Sequence, residues 1–176
     1  MGRAYWTTSP LTARVDVHAF GDLLMSRFGA QAGHYWSHLT PELLDEVAPT
    51  HAFHVLGIYP WTRLLGTGMR EPLQVLDSCR IRAGEVTDVD DDSALVQVDT
   101  LTWDGTRLGL SARREERIDR RTASGYFTDA LEPGQEVAIH WGHLCDALTA
   151  AESADLLTST AHQVDLTNRR LARERG

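Results

Sequence analysis

The chain has 176 residues, 42% hydrophobic and 24% charged, which suits one soluble domain with a real core. Its net charge of -8 argues against nucleic-acid binding, which needs a basic face, and no apolar run reaches the roughly 18 residues of a membrane span. All 17 basic residues are arginine, which excludes a Schiff-base lysine, a lysine general base and a Walker-type phosphate lysine.

The opening stretch, residues 1–16, lacks the apolar core of a signal peptide, and Arg3 fits a myristoylation signal poorly. A cytoplasmic location is therefore expected, and two cysteines at unrelated positions do not form a disulfide framework. "ARVDVHAFGDLLMSRF" places Val15, Phe20, Leu23, Leu24 and Phe28 at mostly helical spacing. "LTPELLDEV" reads as a second helix, with Thr40 as N-cap and Pro41 at its first position, ended by Pro49. "THAFHVLGIYPWTRLLG", residues 50–66, is a short buried helix broken near Pro60, and "TGMREP" is a loop.

The period then changes. "LDSCRIRAGEV", residues 76–86, alternates Cys79, Ile81 and Ala83 against Arg80 and Arg82, and is predicted to be the first strand of a small barrel with Cys79 at its head. "DVDDDSA" is an acidic turn, "ALVQVDTLTW" a second β-rich run, and Asp104-Gly105 a hairpin signal. "ARREERIDRR", residues 112–121, mixes both signs of charge and reads as a solvated strand face. "LEPGQEVAIHW" is a Pro-Gly turn and a strand through Val137, Ile139 and Trp141. A capping box, Thr149 to Glu152, opens a final helix that runs to the arginines of "TNRRLARER". The expected fold is α+β: a helical lobe (1–70) packed on a small antiparallel OB-like or SH3-like barrel with a C-terminal helix (71–176), as one compact unit.

Three runs carry a resemblance. Cys79 precedes Ala83-Gly84-Glu85-Val86; Gly134-Gln135-Glu136-Val137-Ala138-Ile139-His140 ends on a histidine; and "LTAAESADLL" opens the closing helix. In these the second half, roughly residues 76–165, resembles the small hydrogenase-assembly chaperones of the HypC/HupF type. That resemblance implies that Cys79 and His140 hold an iron carrying cyanide and carbonyl groups, and that the partner is a metalloprotein client. The whole chain is also similar to a family of actinobacterial proteins sharing "FHV", "YPW", "VLD-x-CRIR", "LTWDG-x-RLGL" and "HW" before "CD", which adds no function.

The residues leave alternatives open. A thiolate and an imidazole suit Fe, Zn or Cu, yet Cys79 and His140 could equally be a nucleophile and its base, or ordinary core residues. His51 and His54 have the i, i+3 spacing of one helical face; either His54 completes the Cys79/His140 site from a helix over the barrel mouth, or both imidazoles are hydrogen-bonded on a core-edge helix. Tyr59, in "YPW", packs in the core or walls an apolar pocket with its phenol as a donor. His140, His143 and Cys145 lie within six residues but lack a standard zinc spacing. Asp77 and Asp146 stand near the cysteines and could orient an imidazole. Two functions follow: an iron-binding accessory or chaperone-like protein, or a small-molecule enzyme of specialised metabolism using Cys79, His140, His54 and Tyr59. A binding module without chemistry is the third.

Overall fold

The computed structural model describes residues 2–29, 41–123, 125–128 and 130–175. The architecture is α+β: helical segments fill the first half, strands the second, and one long helix closes the chain. The first helix, α1 (Gly2–Thr7), is followed by α2 (Val17–Leu24), whose N-cap Asp16 accepts from the His18 and Ala19 N–H groups. α2 runs on as a π-helical turn, Met25–Gly29. The N-cap expected at Thr40 lies outside the described residues. Pro41–Glu46 forms a 3-10 helix that buries Leu43 and Glu46. Thr50 caps α3 (His51–Phe53) by accepting from the Phe53 N–H, and the chain continues as a π-helical turn, His54–Ile58. After Tyr59 a 3-10 helix, Pro60–Leu64, begins, so the break falls where the proline has no N–H to give.

The next element corrects the sequence reading. Residues Glu71–Cys79 are not a loop and a strand but a helix, α4, with Pro72 in its first turn, where its missing N–H leaves nothing unpaired. Cys79 is its last residue. The apolar alternation Cys79, Ile81, Ala83 is real, but it runs across a helix end into a strand start. Arg80 and Arg82 are both buried. Arg80 is 2% exposed and donates to the carboxylates of Asp77 (2.9 Å) and Asp99 (2.6 Å), while Arg82 donates to Glu116 (2.9 Å). Buried guanidinium groups are retained only with such partners.

The strands are β1 (Arg82–Val89), β2 (Ser93–Val98), β3 (Leu101–Trp103), β4 (Leu108–Leu110), β5 (Arg114–Asp119), β6 (Arg121–Thr122), β7 (Gly125–Tyr126), β8 (Glu136–His140) and β9 (His143–Leu148). Five of them hydrogen-bond in the order β1-β2-β5-β9-β8, and β8 returns to β1, so the sheet closes on itself. All pairs are antiparallel except β5 with β9, which meet in parallel at Asp119 and His143. Gly84 sits where a Cβ would fall 2.5 Å from the Val96 side chain, so the β1–β2 approach requires glycine. Asp104 makes the β3–β4 turn by accepting from the Thr106 and Arg107 N–H groups.

Val86, Val96, Val98, Ile118, Val137, Ile139 and Leu144 fill the ring. On its outer face Ile81, Ala83 and Ala138 pack against Leu148 and Leu156, the latter from α5 (Ala150–Arg173). The Thr149–Glu152 capping box opens α5 as expected. Further along, Arg170 is buried, donating to Glu46 (2.8 Å) and to the Leu56 carbonyl (2.8 Å), which fastens the first-half helices to α5. In the mixed-charge stretch, Arg113 pairs with Glu136, Arg117 with Asp90 and Arg121 with Asp92. Among the described residues no helix is long and apolar enough to cross a membrane.

Candidate metal centre

Side chains alternate along β8: Val137 and Ile139 point into the ring, so Ala138 and His140 face outward. His140 therefore emerges on the outer face. The two-residue turn that follows has both φ angles positive, +50° at Trp141 and +75° at Gly142, which joins β8 to β9 with His140 paired to His143. The Trp141 N–H donates to the Ser78 carbonyl (2.9 Å), which docks the end of α4 onto this turn. Cys79 is thereby delivered beside His140.

A third donor arrives from the first-half helices. One ligand atom each from His51, Cys79 and His140 lies within 4.8 Å of the other two. A tetrahedral site with metal–N near 2.0–2.1 Å and one metal–S near 2.3 Å has edges of about 3.3–3.6 Å, so modest side-chain rotation brings the three onto one ion. His51 Nε2 lies 2.7 Å from the Cys79 carbonyl oxygen. A carbonyl only accepts, so Nε2 carries the hydrogen and Nδ1 keeps the lone pair. A metal-binding imidazole usually has its other nitrogen held in this way. His140 Nε2 is buried with no hydrogen-bond partner. The Cys79 carbonyl acts on this imidazole only weakly against burial, and a buried ring nitrogen beside two other donors fits a metal ligand.

Burial sets the protonation states. It pushes the His51 imidazole down to about 4, against the Cys79 carbonyl, which acts in the other direction. His140 is lowered by the same cause. The Cys79 thiol is raised by burial, opposed by a hydrogen bond from the Trp141 side chain. The metal-free site thus holds two neutral imidazoles and a thiol. The imidazoles are ready ligands, and the thiol must lose its proton to become one.

An aromatic roof from α1 covers the group. The Trp6 ring lies 4.2 Å from the His51 ring and 5.2 Å from the His140 ring, centroid to centroid. Tyr5 Oη contacts His54 Nδ1 (2.7 Å) and His51 Nδ1 (3.4 Å). Arg3 fastens α1 to β9 through Asp146 and the Ala147 carbonyl and to the start of α5 through Glu152. Beside the site lies a cavity of about 430 Å³, whose walls include Trp6, Ile81, Phe127, Ala138, His140 and Cys145.

Cys79 and His140 come together, while His54 stands outside the group. The helical face bearing both His51 and His54 was legible, but the inner position belongs to His51. His54 instead meets Tyr5 and stacks edge-on with Tyr59, whose ring is 4.6 Å away. Tyr59 packs at the edge of the cluster formed by Val55, Leu56, Leu76 and Cys79. His143 and Cys145 do not join the group: His143 Nδ1 bonds the Trp141 carbonyl, and the Cys145 thiol donates to the His143 carbonyl. Asp77 serves Arg80 and the Leu101 N–H, and Asp146 serves Arg3, so neither orients an imidazole through those bonds. Sequence reasoning missed Tyr5 and Trp6, since an aromatic pair in a polar opening stretch has no period to reveal it.

No curated protein and no solved structure matches the chain. A family model does, over residues 1–174: a family of unknown function, DUF6390. With nearly its whole length matched, the chain belongs to the DUF6390 family.

Proposed function

We propose that the protein binds one transition-metal ion through His51, Cys79 and His140, and acts as a cytoplasmic metal-binding accessory protein. The convergence of the three donor atoms carries this reading. One thiolate with two imidazoles suits iron, zinc or copper; iron is the ion to which the chaperone resemblance points. The strand order β1-β2-β5-β9-β8, with β5 and β9 parallel, supports an OB-like barrel of the kind that resemblance implies. Two free cysteines suit a reducing compartment.

A metal-free Cys–His nucleophile is disfavoured. Burial moves the thiol up and both imidazoles down, away from the thiolate–imidazolium pair that such chemistry needs. Cys79 is 7% exposed, so handing an ion to a metalloprotein client requires α1 to lift with Tyr5 and Trp6. The cavity beside His140 favours a second reading, an enzyme of small-molecule metabolism with the ion at one wall of its pocket.

Anaerobic titration with Co(II) tests the site. A near-stoichiometric endpoint with a sulfur-to-cobalt charge-transfer band, absent in Cys79→Ser, is expected. Failure of the wild type to take up the ion would remove the metal reading.

A further inference from the structure

The three donors leave a fourth tetrahedral position, and a phenol oxygen stands beside the group. Tyr5 Oη is 3.4 Å from His51 Nδ1, the nitrogen that keeps its lone pair. That is long for a bond from a hydroxyl, whose ordinary reach is about 2.5–3.0 Å to oxygen and little more to nitrogen. It falls in the range of about 3.3–3.6 Å that separates two ligands on one tetrahedral ion. The same oxygen has a true hydrogen-bond partner on its other side, His54 Nδ1 at 2.7 Å. The Tyr5 and His51 rings stand edge-on with centroids 5.6 Å apart, so the phenol is presented to the imidazole edge rather than stacked on it.

We infer that Tyr5 is the fourth ligand of the metal centre, which makes the donor set one sulfur, two nitrogens and one phenolate oxygen. This rests on the metal site proposed above. When the ion binds, the metal–oxygen bond forms and the Tyr5 O–H breaks, with His54 Nδ1 placed to accept the proton and pass it to solvent. The relation between the two histidines then has a chemical reason: His51 binds the ion, and His54, one turn on, serves the tyrosine. It also assigns α1 a role in completing the centre, with Arg3 as its fastening. A phenolate is a hard donor, and its presence shifts the preference from copper(I) toward zinc or iron.

Zn(II) is the probe, because it is redox-inert and colourless. Metal-free wild-type protein is titrated with Zn(II), and bound zinc and the near-ultraviolet difference spectrum are recorded together. A tyrosinate difference band that grows in step with zinc uptake is expected, and it should survive in Tyr59→Phe. Tyr5→Phe should still bind zinc through the other three donors, about tenfold or more weaker, with the band gone. Zinc uptake by the wild type without a tyrosinate band overturns the Tyr5 assignment and leaves the three-donor site standing, as does a band that persists in Tyr5→Phe. No zinc uptake by the wild type overturns both.

Discussion

His51 donates its Nε2 hydrogen to the backbone carbonyl of Cys79 at 2.7 Å. The residue that offers the sulfur therefore also fixes the tautomer of the imidazole next to it. One bond ties the helical lobe to the end of α4 and orients the imidazole proposed as a ligand. Its loss should be felt in both stability and metal affinity. In His51→Ala the Cys79 carbonyl loses this hydrogen bond, which costs about 1–3 kcal/mol, and the proposed site loses a donor. We expect a lower urea midpoint and zinc binding weakened by about 100-fold or more in competition titrations. His54→Gln should keep the metal stoichiometry of the wild type, because His54 is outside the donor group.

Metal-free protein should lose stability on mild acidification. The His51 imidazole is held down to about 4 in the folded state, against its ordinary 6.5. Between those values the unfolded chain binds more protons, so folding is favoured less as pH falls. The contribution is fully present above about pH 6.5, declines toward pH 4 and is flat below. Its size is on the order of 3 kcal/mol, with His140 acting in the same direction. Urea midpoints at pH 7.5, 6 and 5 measure it. A midpoint that does not move would show that His51 titrates normally.

Metal affinity should depend steeply on pH above that range. Near pH 7.5 the imidazoles are already neutral, so the protons released come from the Cys79 thiol and the Tyr5 phenol, both raised by burial. Two such protons make the affinity rise about 100-fold per pH unit, and the thiol alone about tenfold. Competition titrations with Zn(II) at two pH values separate these slopes, and Tyr5→Phe should show the shallower one.

Arg80 follows Cys79 directly and is buried against Asp77 and Asp99. Arg80→Met leaves Asp99 without its cation and Asp77 with only Arg82, 3.9 Å away. Breaking a buried pair in this way costs about 3–5 kcal/mol, which a thermal unfolding scan should show as a large drop in Tm.

Much of the fold was legible in the sequence. The Asp104-Gly105 turn and the Thr149 capping box each have a local cause and were found in place, while the change from helical to alternating period was legible but falls after α4 rather than before it. α4 was not legible as a helix, because its N-cap Arg70 makes no side-chain bond and its apolar end continues the alternation of β1. Of the site, the Cys79–His140 pairing came from the resemblance and the shared helical face of His51 and His54 from spacing. Which of the two histidines turns inward is decided by the docking of that helix on α4, and the part played by Tyr5 by the folding back of α1. Both are long-range contacts that no local pattern encodes.

Bound metal is the decisive readout for a centre made by His51, Cys79 and His140. Protein purified anaerobically is analysed for bound transition metals, wild type beside Cys79→Ser, with folding of each checked by circular dichroism. Near-stoichiometric metal in the wild type, lost in a folded Cys79→Ser, is the expected result. No metal in either folded protein, even after incubation with excess Fe(II) or Zn(II), would contradict the account.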